Sequence, residues 1–309
     1  MERDNIIYKV RRKLQRAVYG VFPQKLLSCM YYAVVLKKLP HIKTPKTFNE
    51  KLQWLKLNYY PYVPSVPFCT DKYASRQYVK NKGYEHLLTK IYGVWQSPED
   101  INWDDLPHKF VLKCTHGCAY NIFCSDKENI NKKAVCKTLK KWLKEDFAVF
   151  NVEPHYSKIT PRVVCEEHLG EIMIDYKFFC FNGKPEFFYV SSDLVHDRQS
   201  EIGFFDMDGK KIPLIRKDYG DIGDIDLVDY VDEMAEVAKE LSKDFPFVRV
   251  DFFIHENTFR FSELTFTPSA AMMPINPPKY DKEWGDLLKL PPKPNKSRLA
   301  YTHSKENYL

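Results

Sequence analysis

The spacing of apolar and polar residues changes character along this chain. Residues 1–40 are basic and amphipathic. Lys9, Arg11, Arg12, Lys13 and Arg16 cluster ahead of apolar Leu26, Leu27, Met30, Tyr31, Val34, Val35 and Leu36, a spacing that predicts helices. TPKTFNEKLQWLKLN, residues 44–58, reads as a capped helix, with Thr47 or Asn49 as the cap. A Pro-rich loop, residues 60–67, leads to a short helix at 71–83 that Gly83 closes. Strands follow at 86–95, 109–114 and 121–125, with the turn THGCAYN at 115–121. Val135, Leu139, Trp142, Leu143 and Phe147 give helical spacing over 133–147. RVVCEEHL, residues 162–169, is a strand ending in acids. Residues 175–192 form a hairpin turning at Asn182-Gly183, the strongest short hairpin signal. An amphipathic helix is expected over 228–243. Helices first, then strands with antiparallel hairpins, predict an α+β fold rather than a doubly wound sheet.

The last strand pair carries the most specific chemistry. In FVRVDFFIHENTFRFSELTFTPS, residues 247–269, Asp251 interrupts one apolar run and Glu263 interrupts a second. A three-residue loop at 256–258, with Asn257 in a left-handed backbone, sets Asp251 opposite Glu263 and Arg249 opposite Thr265. Like charges directly opposite on a sheet repel, so a cation or a proton is expected between them. A hard divalent ion with oxygen ligands, such as Mg²⁺, is the natural candidate.

Composition narrows the setting. With 309 residues, 44% apolar, 20 Pro and 11 Gly, the chain is globular rather than low-complexity. Lys and Arg number 47 against 41 Asp and Glu, a mild +6 that suits anionic small molecules or an acidic surface and is too weak to argue for nucleic acid. The first thirty residues lack a clean apolar signal segment, and no run of ~18 apolar residues occurs, so a cytoplasmic protein is expected. The eight Cys are then reduced thiols, and without a CxxC pair Cys114, Cys118 and Cys124 with His116 do not make a zinc motif. The basic start can rest on an anionic membrane surface or pack as an ordinary helix face.

Several further residues acquire meaning from their order. Lys113 ends a strand ahead of the THGCAYN loop, whose backbone N–H groups can fold over phosphate oxygens. Lys72 opens a helix, where an anion is also favoured. Glu166, Glu167, His168 and Leu169 close a strand with polar edges able to bond a purine. In this order the chain resembles the ATP-grasp superfamily, and more closely its TupA-like family, associated with teichuronopeptide biosynthesis. TPKTFNEKLQWLKL, DKYASRQYV, LPHKFVLKCTHG, VVCEEHL, DYKFFCFNGKPEF, FPFVRVDFF and SELTFTPSA carry the resemblance.

The resemblance implies an ATP-grasp fold of two α+β subdomains clasping ATP, after a helical N-terminal extension. It divides the chain into residues 1–60, a catalytic region 61–295 (a lysine and phosphate-loop part at 61–170 and a metal-binding part at 171–295), and a polar tail at 296–309. It implies that Lys72 and Lys113 hold ATP phosphates under the loop with His116 and Gly117. Residues 166–169 become the hinge that reads adenine. Asp175 becomes the acid on the ribose hydroxyls, and Lys177 faces phosphate or substrate. Asp251 and Glu263 become Mg²⁺ ligands, with Thr265 where such enzymes often carry Asn. Arg249 sits near the developing oxyanion. A second departure is Ala119, where the family's loop commonly has Gly; Ala disfavours positive φ.

The activity implied is an ATP-dependent carboxylate–amine ligase forming an amide through an acyl phosphate. Its acid is a hexuronic acid, free, nucleotide-linked or in a glycan, and its amine an amino acid or amino alcohol of capsular or surface polysaccharide synthesis. The alternatives are an ATP-grasp kinase and a non-catalytic nucleotide-binding partner of glycan assembly machinery. Asp224-Ile225-Asp226 matches a glycosyltransferase DxD, but the match is short and lies in an acidic loop.

Overall fold

The computed structural model describes residues 6–170, 173–192, 200–216 and 218–294; the polar tail expected at 296–309 falls outside them. Helices α1 (Ile6–Val21), α2 (Gln24–Leu36) and α3 (Phe48–Asn58) come first, followed by the short α4 (Ser65–Thr70) and α5 (Ser75–Asn81). Thr47 settles which residue caps α3. Its hydroxyl accepts from the Glu50 N–H, and the Glu50 carboxylate accepts from the backbone N–H of Thr47 in return.

Two antiparallel sheets follow. The smaller orders β1 (Ile91–Trp95), β4 (Val163–Glu167), β2 (Phe110–Cys114) and β3 (Asn121–Cys124), with β4 inserted between β1 and β2. Its core gathers Phe110, Leu112, Leu139 of α6 (Lys132–Leu143) and Phe150 of α7 (Ala148–Asn151). The larger sheet orders β11 (Thr258–Thr265), β10 (Phe247–His255), β5 (Ile174–Phe181), β6 (Lys184–Ser192), β7 (Glu201–Asp206) and β8 (Lys211–Ile212). A two-residue strand, β9 (Gly220–Asp221), runs parallel beside β7. The architecture is α+β, with N-terminal helices ahead of antiparallel sheets.

The β5–β6 hairpin turns at Asn182 and Gly183, whose φ values of 49° and 82° are those of a type I′ turn. Alternation then gives the large sheet two different faces. Tyr176, Phe178 and Cys180 of β5 share one face, and on it the Cys180 thiol donates to the Ala238 carbonyl of α8 (Val231–Ser242). Phe179 points the other way, toward Phe48 of α3 and Trp284 of α9 (Lys279–Leu287), and Phe187 stacks on Trp284 at 3.9 Å. Further along this second face the aromatic residues give way to charge, at Lys177 and Asp175. Among the described residues no helix is long and apolar enough to cross a membrane.

Candidate active site

The charged part of that face is built by register. Asp251 pairs with Glu263 on one side and with Lys177 on the other; Arg249 pairs with Thr265. The pairing is as the sequence predicts, but it is reached differently. The loop is two residues, Glu256 and Asn257, closed by His255 opposite Thr258, and Glu256 takes the left-handed backbone, φ 53°. A regular two-residue hairpin would set Asp251 against Ser262 and turn Glu263 to the opposite face. A β-bulge at Ser262 supplies the extra residue and restores Glu263. The signal was in the sequence: apolar positions at 259, 261, 264 and 266 skip one step at Ser262.

Three cations meet the carboxylates at this point. The Arg249 guanidinium donates to both Asp251 oxygens, at 2.7 and 2.6 Å, and to Thr265 Oγ1 at 3.1 Å. The same nitrogen, Nη2, lies 3.7 Å from Glu263 Oε1. Thr265 passes its proton toward Glu263 at 3.0 Å. Lys177 bridges Asp175 and Asp251, 3.0 Å from each. Lys72 reaches Glu263 at 2.9 Å. Burial would raise the Glu263 carboxyl, but Lys72 and Arg249 outweigh it and hold the group well below the usual carboxylate range. Burial dominates at Asp175, whose carboxyl is raised despite Lys177. Burial would depress Lys177, but its two aspartates overcome this and raise it.

Lys72 is held in place from the small sheet. Its backbone N–H bonds the Thr115 carbonyl, and the neighbouring Asp71 accepts from Arg162 at 2.7 Å. Sequence reading missed Arg162, and nothing local marks it. The loop at 115–121 is shaped by packing. Gly117 leaves no room for a Cβ, which would stand 2.5 Å from Tyr120 and 2.8 Å from Phe147. His116 is buried, lies tilted against the Tyr120 ring and donates Nε2–H to the Trp142 carbonyl; burial lowers its pKa. Ala119 adopts φ 54°, the left-handed backbone that Gly would take more cheaply.

A pocket separates the two sheets, lined by Val111, Lys113, Phe123, Glu166, Leu169, Met173 and Phe253 among others. Lys113 crosses it to Glu166 at 2.8 Å and lies 5.8 Å from the Phe253 ring. Burial would raise Glu166; the Lys113 ammonium outweighs it and lowers the carboxyl. Phe253 was missed in the sequence, although it follows Asp251 by two and therefore shares its face. The cavity is about 30 Å³, room for a water rather than a purine, so a purine entering here must part the walls. At its rim the Glu167 N–H bonds the Lys90 carbonyl, His168 packs edge-on to Phe123, and the Leu169 carbonyl accepts from His255 Nδ1–H.

A sequence model of the TupA-like ATP-grasp family matches residues 50–289. The chain belongs to that family. No curated protein matches it in sequence. Among solved structures, the D-alanine–D-alanine ligase of Helicobacter pylori is 15% identical, with 78% of this chain and 69% of that one covered and a TM-score of 0.42. The D-alanine–D-alanine ligase of Bacillus anthracis is 18% identical (65% and 58% covered, TM-score 0.40), so this chain spans under two thirds of that protein's length. An L-amino acid ligase of Bacillus licheniformis is 13% identical (67% and 42% covered, TM-score 0.38). Membership of the ATP-grasp family implies ATP and Mg²⁺. Asp251, Glu263 and Thr265 offer hard oxygen donors on one face, two of them carboxylates, and such a set suits Mg²⁺ completed by phosphate oxygens. Among the described residues no three His, Cys, Asp or Glu side chains gather into a fuller metal cage.

Proposed function

We propose that this TupA-like ATP-grasp protein is an ATP-dependent ligase that joins a carboxylic acid to an amine through an acyl phosphate. The observation that carries the reading is the Arg249–Asp251–Glu263–Lys72 cluster, with Lys177 beside it on the same sheet face. These groups serve charge and orientation, the two needs of phosphoryl transfer, which asks for no side-chain nucleophile. In this reading Lys72 and Lys113 lie against phosphate oxygens, and the loop at 115–121 lies over them. Adenine occupies the slot between Val111, Phe123, Met173 and Phe253, next to residues 166–169, with Asp175 toward the ribose. Asp251 and Glu263, beside Thr265, hold Mg²⁺, which when bound offsets negative charge on the phosphates.

The substrate carboxylate oxygen attacks the γ-phosphorus and ADP departs with the bond electrons. The amine nitrogen then attacks the acyl carbon, phosphate leaves, and the nitrogen gives up a proton. In this reading Arg249 faces the acyl oxygen as it gains charge, and Lys177 holds Asp251 in place for its ligand role. The family points to a hexuronic acid, free, nucleotide-linked or within a glycan, and to an amino acid or amino alcohol as the amine, in surface polysaccharide synthesis. The test is ADP release with a panel of uronic acids and amines, followed by mass spectrometry. Amide formed only when acid, amine and ATP are all present supports ligation. A phosphorylated product that persists with amine present would replace ligase by kinase, and no ADP release with any pair would leave a nucleotide-binding accessory.

A further inference from the structure

Helix α1 is packed with its polar side inward. Tyr8, Arg12 and Gln15, spaced four and three residues apart, form the stripe that meets the body. Gln15 is buried and donates to the Phe150 carbonyl at 2.6 Å, and the Arg12 guanidinium lies 3.4 Å from the centre of the Phe150 ring. At ~100° per residue the stripe Ile6, Val10, Leu14 and Val21 falls on the opposite side of the helix. Those four side chains are 75, 59, 62 and 76% exposed. Helix α2 repeats the arrangement with Leu26, Met30 and Val34, at four-residue steps, all exposed while Leu27, Ser28 and Tyr32 are buried. Of the fourteen large apolar residues exposed among the described residues, ten lie between Ile6 and Leu39, so the apolar surface is concentrated in one part of the molecule.

The charge around the stripe selects its occupant. Residues 6–39 contain eight Lys or Arg and no Asp or Glu; of the eight, Arg12, Arg16 and Lys38 turn to Phe150, Glu145 and Asp281 of the body. The stripe is aliphatic apart from Phe22, whereas protein hot spots favour Trp, Tyr and Arg. An aliphatic face flanked by long cationic side chains is what a helix lying in an anionic lipid surface presents, with the stems buried and the charges at the headgroups. We infer that α1 and α2 seat the protein on an anionic bilayer surface, apolar stripe downward, with the catalytic sheets carried above it. The inference does not depend on the proposed chemistry, since the packing face of α1 is defined by the Phe150 contacts alone.

The full chain would be sedimented with vesicles of phosphatidylcholine, and with vesicles also containing phosphatidylglycerol. Binding is expected to the anionic vesicles, weakened by salt. Replacing Lys13 and Lys25 by Ala is expected to weaken it about fivefold per charge. Val10→Glu with Leu14→Glu places charges on exposed positions that the fold does not use, and is expected to weaken binding by roughly a hundredfold or more. Circular dichroism on this double variant separates lost binding from lost folding. Undiminished binding by a folded double variant overturns the inference. So does absence of vesicle binding, and a light-scattering dimer that the double variant splits would then assign the stripe to a second copy of the chain.

Discussion

Lys177 stands between Asp175 and Asp251, 3.0 Å from each, with its side chain 9% exposed and theirs 2 and 0%. Replacing it with Met keeps the volume and removes the charge. Asp251 retains both bonds from Arg249, so the unbalanced group is Asp175, left with the Ser191 hydroxyl at 3.5 Å. Removing one partner of a buried ion pair costs about 3–5 kcal/mol. The effect must depend on pH, and its sign is fixed. The Asp175 carboxyl is already raised by burial, so its contribution favours the fold below the ordinary carboxylate range and is lost as pH rises through its folded value. Without Lys177 the folded value rises further and the loss deepens toward neutral pH. Urea unfolding at pH 7.5 and at pH 5 is the assay: the deficit of Lys177→Met is expected to be large at the first and smaller at the second. Adding Asp175→Asn to Lys177→Met removes the stranded charge and is expected to return part of the stability at pH 7.5. A deficit below about 1 kcal/mol, or one equal at both pH values, would refute the account, because a desolvated carboxylate cannot be indifferent to both its partner and its proton.

Three other outcomes follow from the same geometry. If Glu263 holds Mg²⁺ as proposed, Glu263→Gln is expected to lower ATP turnover by roughly a hundredfold or more. Because Lys72 and Arg249 depress the native carboxyl, its stabilising contribution is present above the ordinary carboxylate range and fades as pH falls, so this variant should also show a flatter stability profile in acid, read by thermal melts across pH. Ala119→Gly relieves a left-handed alanine worth about 1 kcal/mol while adding a similar freedom to the unfolded chain, so urea unfolding should stay within about 0.5 kcal/mol of the parent. Gly285→Ala places a Cβ 2.2 Å from the Lys46 carbonyl oxygen and 2.8 Å from Thr47 backbone atoms, where α9 crosses the start of α3; a loss of at least about 3 kcal/mol is expected, and less than 1 would mean that the backbone yields there.

What could be read from the residues was mostly local. The Asn182-Gly183 turn, the Thr47 cap and the alternation in β5 and β10 each depend on neighbours a few positions apart, and each appears in the structure as the pattern implied. The insertion of β4 between β1 and β2 depends on segments roughly fifty to seventy residues apart, and the Glu166–Thr89 contact on residues 77 apart. Neither has a periodic signature, and neither does the Asp71–Arg162 clamp that steadies Lys72. The carboxylate pair lies between these cases. Its register came out as expected although the assumed turn was one residue too long, because the Ser262 bulge adds the residue that the turn omits. Both routes give the same cross-strand sum, and only the slip in apolar spacing after Phe261 tells them apart. The repulsion between Asp251 and Glu263 was also legible, and with it the need for a cation between them. Arg249, Lys177 and Lys72 balance the two acids and Asp175 in the structure. Were Asp251 and Glu263 to hold a metal as proposed, it would compete with Arg249, Lys177 and Lys72 for their oxygens, and the displaced cations would face the negative charge of phosphate and acyl oxygen. The same side chains that hold the acids together would then be the ones the reaction uses.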